Sequence, residues 1–86
     1  MSAENLLRRV MTVMAERRRA YGSPAASMEA IARRWTITLG RPVTPAQVAL
    51  CLIDLKLARL THDPKSHDSL LDVIGYSAVL HEVNES

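Results

Sequence analysis

Eighty-six residues allow one domain, here residues 1–86, and 48% apolar with 23% charged residues is a globular balance, not a disordered one. No apolar run nears the roughly 20 residues of a membrane span. The charged start "MSAENLLRRV" lacks the apolar stretch of a signal peptide, and a single cysteine excludes an internal disulfide, so a cytoplasmic protein is expected.

The net charge of +2 is unevenly spread. Residues 1–41 hold eight arginines against three glutamates, and residues 42–86 hold three cations against six acids. Such a split suits a polyanion-facing half, or two halves or two subunits that attract each other. With no Phe, one Trp and two Tyr, the core must be aliphatic, which suits packed helices.

The first predicted helix covers about residues 3–20. Leu6, Leu7, Val10, Met11, Val13, Met14 and Arg17 recur on its apolar face. Gly22 suits a C-terminal cap, and the Tyr21 ring is expected to pack on the bundle. In "GSP", Ser23 is the next N-cap and Pro24 the first helical residue. The second helix reaches residue 39 with Met28, Ile31, Ala32, Trp35 and Leu39 inward, and Gly40 ends it.

"TPAQ" opens the third helix as a capping box of Thr44 and Gln47. That helix runs to about residue 61. It is apolar almost all round in "VALCLI", so it is expected to be central and buried, with Cys51 a small core hydrophobe. "HDPKSHD" is a turn, because Pro64 stops a helix through it. The fourth helix starts between residues 66 and 68 and reaches about residue 83. The expected fold is an all-α four-helix bundle, antiparallel in sequence order. A helix apolar all round in so short a chain points to a homodimer or higher oligomer.

The chemistry concentrates on the last two helices. Lys56 and Arg59, three apart, share a face. Asp68, Asp72 and Tyr76 repeat at four, with Gly75 thinning the helix beside Tyr76. An antiparallel pairing lets the cations meet the acids. One reading is a network of interhelical salt bridges. The other is a polar pocket, with cations for phosphate and carboxylates for a metal.

"SLLDVIGY" resembles the last conserved helix of the MazG-like all-α nucleotide pyrophosphatases, roughly E-L-x-D-V-x-x-Y, and "ALCLIDLKLARL" resembles the helix before it, which carries E-x-x-E. Over residues 21–83 the pattern is also similar to small phage proteins described as MazG-like. The resemblance implies a MazG-like bundle and Mg²⁺ held by acidic residues. The family's E-x-x-E falls here on Ile53 and Lys56, and its Glu before the final Asp falls on Ser69. Asp72 alone stands where a ligand should, and Asp68 is one position away.

The resulting expectation is non-hydrolytic binding, even sequestration, of a nucleotide or related phosphorylated molecule. Lys56 and Arg59 hold phosphate, and Asp72 and Tyr76 orient the rest or fix the cations. One alternative is a divergent Mg²⁺-dependent (d)NTP pyrophosphatase using Asp54, Asp68 and Asp72, with Asp68 and Asp72 the metal candidates. Another is a protein-interaction module with no small ligand. The arginine runs at 8–9, 17–19 and 33–34 read mainly as solvated faces. "VTPAQVALCLIDLKLARL" is too apolar for a groove-reading helix, and three scattered aromatics make no stacking platform, so nucleic acid is not the expected partner. His62, His67 and Asp68 lack the further ligand that zinc requires.

Overall fold

The computed structural model describes residues 1–85, and these form four helices with no strand among the described residues: α1 (Ala3–Tyr21), α2 (Pro24–Leu39), α3 (Pro45–His62) and α4 (His67–Glu85). Among the described residues, no helix is long and apolar enough to cross a membrane.

Local chemistry sets the boundaries. Ser2 and Ser23 cap α1 and α2 by accepting from the N–H of Asn5 and Ala26. Thr44 and Gln47 form the reciprocal capping box at α3. Gly22 and Gly40 close α1 and α2 at φ of 83° and 70°, backbone angles that glycine adopts without strain. Thr36 fixes the loop after α2. Its hydroxyl donates to the Ala32 carbonyl at 2.8 Å and accepts from the Val43 N–H at 3.0 Å. Between α3 and α4, Asp63 turns the chain by accepting from the N–H groups of Lys65 and Ser66. Ser66 then bonds the N–H and hydroxyl of Ser69, which satisfies that buried hydroxyl.

Two apolar clusters hold the helices. Met28, Ala32, Val48, Ala49 and Val79 join α2, α3 and α4, with Trp35, Leu52 and Leu80 packed around them. Val10, Val13 and Leu71 join α1 to α4, with Leu6 and Ile74 beside them. Met14 touches both clusters.

Several sequence expectations are corrected by this packing. α3 is central only in part: its Val48 and Ala49 are fully buried, but α2 and α4 each meet the other three helices while α3 meets two. Because α3 packs only on α2 and α4, its outer side stays open, and Leu50, Cys51 and Leu57 are exposed. Cys51 is therefore not a core residue. Leu7 and Met11 flank the buried α1 stripe and remain exposed, and so does Leu39 at the end of α2. Tyr21 is 79% exposed, because α1 ends there and only part of its ring meets the body.

The order of directions also differs. α3 and α4 are antiparallel, but α1 follows α4 in the same sense. Met1 lies beside His67, Val10 and Val13 pack on Leu71, and Arg18 pairs with Glu82. The two-residue link at Gly22 and Ser23 sends α2 onto α3 and α4, so α1 barely touches α2.

Candidate functional site

The antiparallel α3–α4 hairpin brings Lys56 opposite Asp72. The Lys56 ammonium sits 3.1 Å from one carboxylate oxygen of Asp72, and the Arg17 guanidinium sits 3.1 Å from the other. Lys56 and Asp72 are only 14% and 12% exposed, while Arg17 is half exposed. Screening therefore weakens the Arg17 arm more than the Lys56 arm. Asp72 thus ties α1, α3 and α4 at one point. Of the interhelical salt bridges open in the sequence, Lys56–Asp72 is present, while among the described residues Arg59 and Asp68 form no ion pair.

That network does not account for every charge around it. Asp72 stands in a cavity of about 540 Å³ between α1, α3 and α4. Arg9, Arg17, Lys56 and Arg59 line it against Glu16, Asp68 and Asp72, with His67 at the same rim. Among the described residues, Arg9 and Arg59 form no ion pair. Two guanidinium groups and two carboxylates, those of Glu16 and Asp68, therefore line the cavity outside any ion pair, beside a cation pair locked by Asp72.

A second cleft opens next to it. It measures about 130 Å³ and is mostly apolar, lined by Met14, Tyr21, Met28, Gly75, Tyr76 and Val79 among others. An apolar cavity of roughly 150 Å³ holds a benzene ring, so this slot is of single-ring size. Gly75 is buried, yet a Cβ placed on it would meet nothing within 4 Å. Its missing side chain keeps the slot open. Arg17 lines both the charged cavity and the slot, so the two are contiguous.

The structure thus gathers Lys56, Arg59, Asp68 and Asp72 at one cavity and sets Tyr76 in the adjoining slot. Asp54 is exposed on the outer side of α3 and lines neither. Sequence reasoning passed over Arg9, Glu16 and Arg17 as site residues. One signal was available for Arg17: it continues the Val10 and Val13 stripe at helical spacing, and a cation on an inward face needs a partner. Arg9 and Glu16 carried no such signal, because the α1–α4 pairing that brings them here is long-range.

Magnesium is implied only by the MazG-like resemblance, and the donor set does not fit it. Both oxygens of Asp72 are held by cations. Among the described residues, no group of three or more His, Cys, Asp or Glu could hold a metal ion.

The family profile described as "Domain of unknown function (DUF6378)" matches residues 5–84, and the chain belongs to that family. It is similar to the Gene 55 protein of Mycobacterium phage L5, 33% identical over 69 residues that make up 79% of this chain and 44% of the relative. The chain therefore spans less than half the length of the curated relative it matches. No solved structure matches.

Proposed function

We propose that this member of the DUF6378 family binds a nucleotide, or a related phosphorylated small molecule, without hydrolysing it. The observation that carries the reading is Arg17, which lines a charged cavity with four cations against three acids on one side and an apolar ring-sized slot on the other. A nucleotide has the same two-part chemistry. Its phosphate suits Arg9, Arg59 and the Lys56–Arg17 pair, the guanidinium groups as forks and the ammonium as a point charge. Its base suits the slot over Gly75, between Tyr21 and Tyr76. Asp72 serves as the strut that holds Lys56 and Arg17 in place.

The MazG-like kinship belongs to this proposal. It supplies a helix pair of the right kind, with the family's acidic positions taken by Ile53, Lys56 and Ser69. In a phage setting, such as that of the L5 relative, a binder of this kind would sequester a nucleotide signal. A purely structural role for the charges is favoured by the Asp72 triad, and it is the reading to be separated from this one.

A thermal-shift screen separates them. Nucleoside mono-, di- and triphosphates and cyclic nucleotides are added with and without Mg²⁺. A ligand at a hundred times its dissociation constant adds about 2.7 kcal/mol, on the order of 10 °C for a domain this small. The expected result is a shift with nucleotide alone that Arg59→Ala reduces. A shift that requires Mg²⁺ revives the pyrophosphatase, and pyrophosphate release in the same mixture then overturns the non-hydrolytic reading. No shift with any nucleotide leaves the charges as structural ties.

A further inference from the structure

The side of α1 that faces away from the charged cavity carries a different pattern. Arg17 turns to Asp72 on the cavity side, while Arg18 turns to Glu82 on the other. Leu7, Met11 and Ala15 lie with Arg18 on that outer side, at steps of three and four. Leu7 is 51% and Met11 71% exposed. Glu4 begins the same stripe, and Arg18 ends it.

The amount of open surface is itself informative. The chain exposes 6019 Å². A folded monomer of 9.5 kDa exposes about 5,000 Å². The excess, about 1,000 Å², belongs to the whole elongated chain, and Leu7 and Met11 are the part of it that α1 carries between its charged ends.

We propose that the outer stripe of α1 is the interface between two copies of this chain, packed antiparallel about a two-fold axis at Met11. The stripe is complementary to itself under that operation. Met11 meets Met11 of the second copy, Leu7 meets Ala15, and Glu4 meets Arg18. Acid lies at one end, base at the other, and apolar side chains lie between, as an isologous contact requires. Arg18 already donates to Glu82 at 2.7 Å, and a guanidinium with five N–H groups has donors left for a second carboxylate. The outer face of α3 is also apolar at Leu50 and Leu57, but Asp54 sits in its middle. A two-fold pairing there would set Asp54 against its own copy. Pairing through α1 leaves both charged cavities open.

Light scattering coupled to size exclusion, at tens of micromolar, gives the test. The wild-type chain is expected at twice 9.5 kDa. Met11→Glu is expected at the monomer mass with unchanged helical circular dichroism, because Met11 lies outside the core. Leu57→Glu is expected to stay dimeric. Glu4→Arg weakens the dimer, and adding Arg18→Glu together with Glu82→Arg restores it, since the Arg18–Glu82 pair is then kept in reversed form. In a Cys51→Ser background, Met11→Cys is expected to cross-link two chains on oxidation. A wild-type monomer, a dimer that survives Met11→Glu, or a dimer broken by Leu57→Glu instead overturns the proposal and gives the stripe or the α3 face to another partner.

Discussion

The helices α2, α3 and α4 share one buried cluster in which Val48 and Ala49 lose all their exposure, whereas α1 is attached by a shorter seam. That seam is Val10 and Val13 on Leu71, helped by Arg17 on Asp72 and Arg18 on Glu82. Exposed ion pairs such as the second add about 0–1 kcal/mol each. Stability thus resides in three helices, while the fourth contributes surfaces. α1 forms one wall of the charged cavity, one wall of the ring-sized slot and the proposed contact between copies. Elements that bind are commonly drawn from the less stable part of a fold. Binding at either wall would hold α1 down.

The largest expected effect lies in the three-helix cluster. Val48→Ala removes two fully buried methyl groups and should cost about 2–3 kcal/mol, lowering the midpoint by about 10 °C or more. Val10→Ala in the α1 seam should cost less, since Val10 packs in the smaller cluster and keeps some exposure where Val48 keeps none. Equal losses would mean that the two regions unfold as one. Hydrogen exchange sharpens the contrast: interior amides of α1 should exchange faster than those of α3, and ligand should slow those of α1.

Asp72→Asn comes next. It leaves both Lys56 and Arg17 without a carboxylate and should cost about 1–3 kcal/mol in chemical denaturation. Lys56→Met should cost less, because Arg17 still serves Asp72. The reverse order would contradict the strut role. Gly75→Ala should work in the other direction. Its Cβ enters open space, so the helix gains about 1 kcal/mol and the midpoint rises by about 5 °C. The same methyl group narrows the slot, so the nucleotide-induced shift should shrink. Arg59→Ala should be the quietest change to the fold, leaving the midpoint of the free protein unmoved while weakening phosphate binding.

Much of the fold was legible where local chemistry decides it. Ser23 with Pro24, the Thr44–Gln47 box, Gly22, Gly40 and Pro64 place every boundary within a residue or two. What the sequence hid is long-range. Period alone put all of "VALCLI" at the centre; Val48 and Ala49 are there, but Leu50 and Cys51 are exposed, because α3 has its two neighbours on one side. The direction of α1 along α4 leaves no local mark either. The site followed the same division. The Lys56–Asp72 meeting was legible, because one short turn joins α3 to α4. Arg9 and Arg17 were not, since they reach the cavity from α1, fifty-five residues from Asp72 in the case of Arg17.

The most direct test of the two-part site is an amide and arginine side-chain NMR titration of the protein with a nucleoside monophosphate in the absence of metal. Binding as proposed would shift Gly75 and Tyr76 on the slot together with Arg17, Lys56 and Arg59 on the cavity, all with one dissociation constant. Shifts confined to the outer arginines Arg33 and Arg34, or no shifts at millimolar ligand, would contradict it.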